Sequence, residues 1–471
     1  MKVVAVVFKA LAWALMIATP LLGVWVATSL AAYSNARVSW VAASGLLLFP
    51  VLPLAWIGVS EWRRRSRGEI RPHILTFGDR LLVRTVFLAV VFLVVLIAAR
   101  PKVAFIALSA RGDWFLGDRH GKVAETVRRG AFKLAGSLEW LYDATHPNPY
   151  EQYKPQNQEK PTPPPAQESE SESKKDPHDT TPAKPKMWPT SHAVHPIVTN
   201  IPPEEETSIE SVGKYIASRE KDPMLRVKAL HDYVADRIAY DGPAYRAHAV
   251  PMEDGDAQQV FSRKLGVCAG YAQLLVALGK ASGDEIVYIS GNVRTTESAI
   301  DGDSHAWNAA KIDGIWYLID PTFDAGYLDG STFHKRYTSD YLFTPPHVFA
   351  VSHFPTDPAW QLQGKPISRG DFIRQPMMQP AFYARGMKLE SPDRSQVTTS
   401  GTFDIRLQNP STYLLVDYRA HGAGSGTRCR VDGFTHAACE LPAGKWDVLL
   451  FGNDTSSGDF DYLGTFEVNR Q

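Results

Sequence analysis

Three residues near the middle of the chain have side chains suited to nucleophilic acyl transfer, namely Cys268, His305 and Asp320. A cysteine thiolate attacks a carbonyl carbon, an imidazole moves the protons, and a carboxylate holds the imidazole in one orientation. Cys268 follows a turn at Gly266 in the segment RKLGVCAGYAQLLVALG and stands at the predicted start of a helix. The positive end of a helix dipole favours a thiolate. These residue types therefore predict a cysteine nucleophile with an acid-base partner.

A predicted hairpin brings His305 and Asp320 together. The pair Asp313-Gly314 is a strong signal for a two-residue turn between two strands. The strands are predicted at residues 304–312 and Ile315–Ile319. A turn centred between Asp313 and Gly314 puts His305 near Asp320 on the same face of the sheet. Asp320 can then accept a hydrogen bond from one imidazole nitrogen and leave the other for the thiol, whose approach does not follow from the sequence.

Each of these residues has a simpler explanation when taken alone, because a free cysteine is often a small buried hydrophobe and Asp-Pro is usually a turn. Their combination favours a catalytic site.

The residues around this site are assigned as follows. The backbone amide of Cys268 is the preferred oxyanion donor, since Gln258 and Gln259 give no basis for choosing a side chain. Asp301 and Asp303 lack calcium-binding spacing and are expected in a solvated loop. Two aromatic residues of the hairpin are expected in the core: Trp307 and Tyr317.

The segments GVCAGYA, DSHAWNAAKIDGIWYLIDPTFD and IAYDG resemble the transglutaminase-like superfamily, over about residues 208–362. The stretch 341–362 resembles an extension found in the kyphoscoliosis peptidase branch, where a β-sandwich follows. The resemblance implies a papain-like α+β fold. It also implies that Cys268 is the nucleophile, His305 the general base and acid, and Asp320 the orienting carboxylate.

The first hundred residues contain three apolar stretches that are long enough to cross a hydrocarbon core of about 30 Å. They are residues 10–32, 38–60 and 81–99. Six arginines lie between the second and third stretches: Arg63, Arg64, Arg65, Arg67, Arg71 and Arg80. The first connection contains a single one, Arg37, so the second connection is predicted to be cytoplasmic and the chain after residue 99 extracytoplasmic. Basic residues after the third stretch reduce this asymmetry: Arg100, Lys102, Arg111 and Arg119.

Two segments are expected to connect this anchor with the rest of the chain. Apolar residues at helical spacing predict an amphipathic helix over residues 122–143, which packs on the membrane surface or on a neighbouring domain. Residues 147–203 hold 14 of the 33 prolines. Residues 166–181 contain no large apolar side chain. Such a composition predicts a disordered linker.

The last ninety residues show short runs of alternating apolar and polar residues separated by turn signals, which predicts an Ig-like β-sandwich. The predicted strands are residues 383–389, 402–407, 413–419, 427–431, 437–441, 446–451 and 462–468. A hairpin centred on Phe434 would place Cys429 opposite Cys439. A disulfide there is geometrically feasible and would persist in an oxidising compartment, whereas two reduced core cysteines are the alternative.

The composition of the whole chain excludes several classes of protein. The 471 residues include 50 basic and 50 acidic residues, a net charge of zero, which argues against a dedicated nucleic-acid binder. Three cysteines are too few for a disulfide scaffold and lack zinc-finger spacing. Neither a cofactor nor a metal is predicted.

We therefore predict an α+β papain/transglutaminase-like domain with a C-terminal β-sandwich, preceded by three transmembrane helices. The expected parts are the anchor 1–102, the juxtamembrane helix 103–146, the linker 147–206, the catalytic domain 207–365 and the sandwich 380–471. The predicted protein is a cysteine acyl-transfer enzyme of a bacterial inner membrane with a periplasmic head. It would act on a protein or peptide substrate of the envelope, with hydrolysis or amine transfer left open. The alternative is a catalytically silent adaptor that binds a partner through its sandwich.

Overall fold

The computed structural model describes residues 2–34, 36–68, 75–117, 119, 121–155, 161, 188–247, 252–295, 298 and 300–471, with only the backbone of residues 2–15. Most of the predicted disordered linker lies outside the described residues, as does Arg71.

Three helices of the described N-terminal region are long and apolar enough to cross a membrane. The candidate spans are Met16–Tyr33, Val38–Ser66 and Phe77–Ala99. The first span lies in α1 (Lys2–Tyr33), the second comprises α2 (Val38–Leu46), a π-helical turn at Leu47–Val51 and α3 (Leu52–Ser66), and the third is α4 (Phe77–Ala99). Their length follows from long, predominantly apolar sequence, because a helix surrounded by apolar groups needs no polar face.

The juxtamembrane region folds as a group of short helices that pack on the head. They are α5 (Pro101–Arg111), α6 (Lys122–Gly136), α7 (Glu139–Thr145) and 3₁₀ turns at Trp114–Leu116 and Pro149–Tyr153. The single helix predicted over residues 122–143 is therefore two, because the amides of Ser137 and Leu138 bond to carbonyls three residues back and interrupt the α-helical pattern after Gly136. On α6, Val123 remains 79% exposed and Leu134 52% exposed, whereas Arg128 is buried with its Nε 2.8 Å from Asp113 Oδ2.

The next part of the chain contains the helices that support the predicted nucleophile. They are α8 (Pro196–Thr199), α9 (Ile209–Arg219), α10 (Pro223–Arg237), α11 (Gly242–Arg246), α12 (Ala257–Arg263), α13 (Cys268–Ser282) and α14 (Pro346–Ser352), with 3₁₀ turns at Pro203–Glu205, Met252–Gly255 and Pro358–Gln361. Ser208 caps α9, because its side chain accepts a hydrogen bond from the amide of Ser211. The second half of the predicted linker contributes buried residues to this domain, including Trp188 and Val198.

A five-stranded antiparallel sheet packs against α13. The strands in this domain are β1 (Ala239–Tyr240), β2 (Leu265–Gly266), β3 (Glu285–Val293), β4 (Asp303–Ile312), β5 (Ile315–Ile319), β6 (Gly326–Asp329), β7 (Thr332–Lys335), β8 (Leu342–Thr344) and β9 (His353–Pro355). The order of the five-stranded sheet is β8-β5-β4-β3-β9. Ile312 pairs with Ile315, and Asp313 and Gly314 both have positive φ, so the predicted hairpin register is confirmed.

Both faces of this sheet are covered. On the α13 face, the fully buried leucines at 274, 275 and 278 pack with residues of α9 and α10. On the opposite face, Trp307 packs with Phe349 and Trp360. His305, on the central strand β4, and His353, on the edge strand β9, therefore belong to a sheet that is packed on both faces.

The C-terminal part of the chain forms the predicted β-sandwich. Its elements are α15 (Arg369–Arg374), β10 (Met377–Met378), α16 (Pro380–Ala384), β11 (Lys388–Ser391), β12 (Gln396–Thr399), β13 (Phe403–Gln408), β14 (Tyr413–Arg419), β15 (Thr427–Arg428), β16 (Arg430–Asp432), β17 (His436–Cys439), β18 (Gly444–Asn453) and β19 (Asp461–Arg470). A six-stranded sheet faces a four-stranded one. The strand predicted at 383–389 is wrong in its first half, because Pro380 begins the short helix α16 there.

The two cysteines of the sandwich form a disulfide. Arg430 pairs with Ala438 across the hairpin, which is the register predicted from a turn centred on Phe434. Cys429 and Cys439 lie 4.7 Å apart at their Cα atoms and are bonded. The predicted cross-strand disulfide is confirmed, and Cys268 is the free cysteine of the three.

Candidate active site

Cys268 is the first residue of α13, and its side chain is fully buried. Val267 before it is extended, so the helix begins abruptly at the thiol. The first amides of a helix have no intrahelical acceptor, which leaves the amide of Cys268 available as an oxyanion donor. A side chain at Gly270 would bring its Cβ within 2.1 Å of the Asp254 carbonyl oxygen. Glycine at this position lets the first turn of α13 pack closely against the preceding 3₁₀ turn.

His305 is paired with Asp320 and lies near Cys268. Nε2 of His305 is 2.8 Å from Oδ2 of Asp320, and Cys268 is close enough to influence the pKa of His305. Since Nε2 is used by the carboxylate, Nδ1 is the nitrogen left for the sulfur. Burial opposes protonation of His305, but the charges of Asp320 and Cys268 outweigh it and raise the pKa of His305 to about 10. His305 is therefore positively charged at neutral pH.

A second histidine, His353, contacts the same carboxylate and was missed by the sequence reasoning. It is the first residue of β9, and its Nε2 lies 3.0 Å from Oδ2 of Asp320. Burial, against the attraction of Asp320, lowers the pKa of His353 to about 4. The ring is therefore neutral at pH 7, so it donates through Nε2 and accepts from the Ser352 hydroxyl, 2.8 Å away, at Nδ1. The only sequence signal was a histidine next to serine in the 341–362 extension.

The backbone around Asp320 is also fixed. Its Oδ1 accepts from the amide of Thr322 at 2.8 Å, and its own amide donates to the carbonyl of Tyr341 at 2.9 Å. The amide of Tyr341 donates in turn to Asp324, whose carboxylate lies 3.1 Å from Nε2 of the buried His231. This network holds the loop after β5 in place. Burial of the Asp320 carboxylate is outweighed by His305 and His353, which lower its pKa, so it remains ionised.

His305, Asp320 and His353 are the types of residue that bind metals, and their ligand atoms lie within 4.8 Å of one another. However, the same Nε2 atoms that would bind an ion already donate to Asp320 at 2.8 and 3.0 Å. A ring nitrogen that carries a proton cannot be a metal ligand. The hydrogen bonds explain the cluster without an ion.

The comparison with known families agrees with this geometry. A model of the transglutaminase-like superfamily matches residues 210–321, which contain the three predicted site residues. This chain carries a transglutaminase-like domain.

Known proteins of similar sequence include two kyphoscoliosis peptidases. Kyphoscoliosis peptidase of Mus musculus is 28% identical over 201 residues, covering 41% of this chain and 30% of that protein. The Homo sapiens kyphoscoliosis peptidase is 29% identical over 199 residues, with the same coverage of 41% and 30%. The chain thus matches less than a third of each relative's length. A putative cysteine protease from Cytophaga hutchinsonii, solved to 1.9 Å, is 20% identical, with 24% of this chain and 36% of that chain covered and a TM-score of 0.20. At the level of the superfamily, the matched family model and the two kyphoscoliosis peptidases support a cysteine enzyme of the peptidase or acyltransferase kind.

The predictions for other residues around the transglutaminase-like site are confirmed in some cases and wrong in others. Trp307 is buried as predicted, whereas Gln258 and Gln259 are exposed on α12. Asp303 is exposed, but the prediction of a solvated loop is wrong for Asp301, which is fully buried. Its carboxylate contacts the juxtamembrane region: Lys102 Nζ lies 2.9 Å from Oδ2, and the Tyr142 hydroxyl donates to the same oxygen. An ion pair with a residue two hundred positions away could not be inferred from local loop composition.

Residues of the juxtamembrane region also reach Cys268. Tyr150, in the 3₁₀ turn after α7, is buried in the same hydrophobic cluster as Cys268. Burial, together with the charge of Cys268, raises the pKa of Tyr150, so the phenol stays protonated. The sequence reasoning assigned this residue to the linker and gave it no role.

Proposed function

We propose that this protein is a membrane-anchored, extracytoplasmic cysteine enzyme that transfers acyl groups from peptide amides through Cys268, His305 and Asp320. The observation that carries the proposal is that a buried free thiol at the start of α13 lies near His305, whose Nε2 is 2.8 Å from Oδ2 of the buried Asp320. A thiol at a helix start, a charged imidazole and a buried carboxylate are the parts that acylation requires.

The reaction proceeds in two halves. The Cys268 thiolate attacks the amide carbonyl and forms a C–S bond, and the negative oxygen is stabilised by the Cys268 amide. The C–N bond then breaks, and His305 gives its Nδ1 proton to the leaving amine, which leaves a thioester. Neutral His305 takes a proton from the second nucleophile as it attacks the thioester. The C–S bond breaks, the thiolate returns, and His305 is again an imidazolium.

Water as the second nucleophile makes the enzyme a peptidase or amidase, and a primary amine makes it a crosslinking transglutaminase. Both reactions use the same first half, so the three residues do not distinguish them. The names of the curated relatives favour hydrolysis. We therefore propose peptide hydrolysis as the main activity.

Three observations support the extracytoplasmic location of the head. Within residues 1–99, the arginines lie mostly between the second and third apolar stretches of the sequence. The residue Gln471 contacts the connection between the first and second candidate spans, with its Nε2 3.4 Å from the carbonyl oxygen of Ala36. The Cys429–Cys439 disulfide fits an oxidising compartment. A reporter that is active only in the cytoplasm, fused after Gln471, should stay silent, and an active fusion would contradict the orientation.

A peptide-profiling assay tests the chemistry. The full chain in detergent is incubated with a mixture of synthetic peptides and a fluorescent primary amine. Mass spectrometry detects cleaved peptides, and fluorescence detects amine incorporation. Cys268→Ala should abolish both products, and His305→Ala should lower the rate by about 10²- to 10⁴-fold. Equal product with wild type and Cys268→Ala would refute the proposal and favour the adaptor alternative.

A further inference from the structure

The segment Asn148–Tyr153, here called the cover segment, lies over Cys268. Tyr150 is only 6% exposed and packs with Cys268, Ala272 and Ala306, while Tyr153 packs at the margin of the same cluster. The Cys268 side chain in this cluster is itself 0% exposed. A substrate carbonyl that is to be attacked must occupy the space now filled by the phenol of Tyr150.

The contacts that hold the cover segment are those that would hold a bound peptide. The Tyr288 hydroxyl donates to the main-chain carbonyl of Tyr150 at 2.9 Å, and the Gln273 side chain donates to that of Tyr153. Hydrogen bonds to main-chain carbonyls do not depend on the side chains of the bound segment, so they suit the recognition of many peptides. Two further contacts hold it to β3: Asn148 donates to the carbonyl of Gly291, and Ser290 donates to the Glu151 carboxylate.

We propose that the cleft above Cys268 is a peptide-binding site with a subsite for an aromatic side chain, and that the cover segment occupies it as a tethered competitor. The inference rests on the proposed acyl-transfer function, because it treats this cleft as the substrate site. Substrate binding then requires the cover segment to leave, and peptides that place a tyrosine where Tyr150 lies are preferred.

The surroundings of Tyr150 support an aromatic subsite. Tyr240, Tyr245 and Tyr288 line the cluster around it, and the rings of Tyr240 and Tyr245 meet edge to face with centroids 5.8 Å apart. Aromatic rings in such arrangements attract one another beyond the burial of their surface. A small or charged side chain would leave this space unfilled or would bury an unpaired charge.

The rate at which iodoacetamide alkylates Cys268 measures how strongly the cover segment shields the thiol. The assay uses the full chain in detergent without reductant. Cys429 and Cys439 are bonded, so Cys268 is the target thiol, and Cys268→Ala gives the background. Tyr150→Ala should react at least about tenfold faster than wild type, because the covering phenol is removed. Tyr327→Ala, which truncates a tyrosine 53% exposed on β6, is the matched control and should react like wild type.

Two additions keep the test decisive. Glu151→Ala removes a contact that holds the segment without emptying the aromatic subsite, and should also react faster, so it decides the question if Tyr150→Ala does not fold. A synthetic peptide with the sequence NPYEQY should slow alkylation of Tyr150→Ala, and the peptide NPAEQY should protect at least tenfold less well. Unchanged alkylation in both variants, or equal protection by the two peptides, would overturn the inference.

The alkylation assay is independent of turnover, since iodoacetamide needs only an accessible thiolate. Faster alkylation of Tyr150→Ala without any Cys268-dependent product in the peptide assay would support the cover and refute acyl transfer. Cys268-dependent product with unchanged alkylation of both variants would support acyl transfer and refute the cover.

Discussion

Nε2 of His353 lies 3.0 Å from Oδ2 of Asp320, the same carboxylate oxygen that Nε2 of His305 contacts at 2.8 Å. The two imidazoles are in opposite states: the pKa of His305 is raised to about 10 and that of His353 is lowered to about 4. The carboxylate is thereby held between a charged donor and a neutral one. We infer that His353 is a positioning residue that fixes Asp320, and through it the ring of His305.

The first prediction concerns the hydrogen bond donated by His353. His353→Leu removes it and should lower kcat about tenfold with little change in KM, because a hydrogen bond to a charged group contributes about 1.5 to 3 kcal/mol. His353→Gln keeps a donor close to the position of Nε2 and should recover most of the loss. The comparison uses steady-state turnover of the best peptide from the profiling assay. Equal losses in both variants would show that His353 acts only through packing.

The second prediction concerns the alkaline limit of activity. His305 must carry a proton to release the amine, so kcat should fall as the pH rises through about 10, the raised pKa of His305. In Asp320→Asn the attraction that raises this pKa is lost, and the alkaline limb should move down by about 1 to 3 pH units. The measurement is the pH profile of kcat for both proteins. Superimposable alkaline limbs would contradict the role of Asp320.

The third prediction concerns stability in acid. An unfolded histidine titrates near pH 6.5, whereas the pKa of folded His353 is about 4. As the pH falls from 6.5 to 4, the unfolded chain gains a proton that the folded site resists, so the unfolding temperature should decrease. His305 has the opposite sign: its contribution is complete below pH 6.5 and is lost as the pH rises to about 10.

Thermal unfolding followed by tryptophan fluorescence tests the acid effect. His353→Gln should show a shallower decrease between pH 6.5 and 4 than wild type. His421→Gln is the matched control, since the side chain of His421 is 81% exposed in the sandwich, and it should retain the wild-type slope. Parallel slopes in all three proteins would mean that His353 does not resist protonation.

The fourth prediction concerns the disulfide. Replacing both Cys429 and Cys439 by alanine should destabilise the sandwich by about 2 to 4 kcal/mol, because the cross-link restricts the unfolded chain. Limited proteolysis of the full chain should then cut the C-terminal domain faster, while alkylation of Cys268 is unchanged. Faster alkylation in the double variant would show that the disulfide also supports the site.

The fifth prediction concerns metal removal. Because the ring nitrogens of His305 and His353 donate to Asp320, a chelator such as EDTA should leave peptide turnover unchanged. Turnover is measured before and after dialysis against the chelator. Loss of activity that Zn²⁺ restores would mean that the three side chains bind an ion instead.

Local sequence determined the parts of the site that neighbours along the chain can build. The Asp313-Gly314 turn, with both residues at positive φ, sets the register of β4 and β5 and so brings His305 beside Asp320. The same reasoning gave the start of α13 at Cys268 and the pairing of Cys429 with Cys439, since turn chemistry and apolar periodicity act over a few residues. It failed at residues 383–389, where alternation suggested a strand and Pro380 starts a helix.

The tertiary structure alone decided which distant side chains complete the site. His353 reaches Asp320 from 33 residues away, and Tyr150 reaches Cys268 from a segment whose composition indicated a linker. Buried Asp301 likewise binds Lys102 and Tyr142 of the juxtamembrane helices. These contacts depend on how whole helices and sheets pack, and the packing energy is shared over many residues. These contacts therefore cannot be predicted from a local sequence pattern. The turns and helix ends that position Cys268, His305 and Asp320 can be.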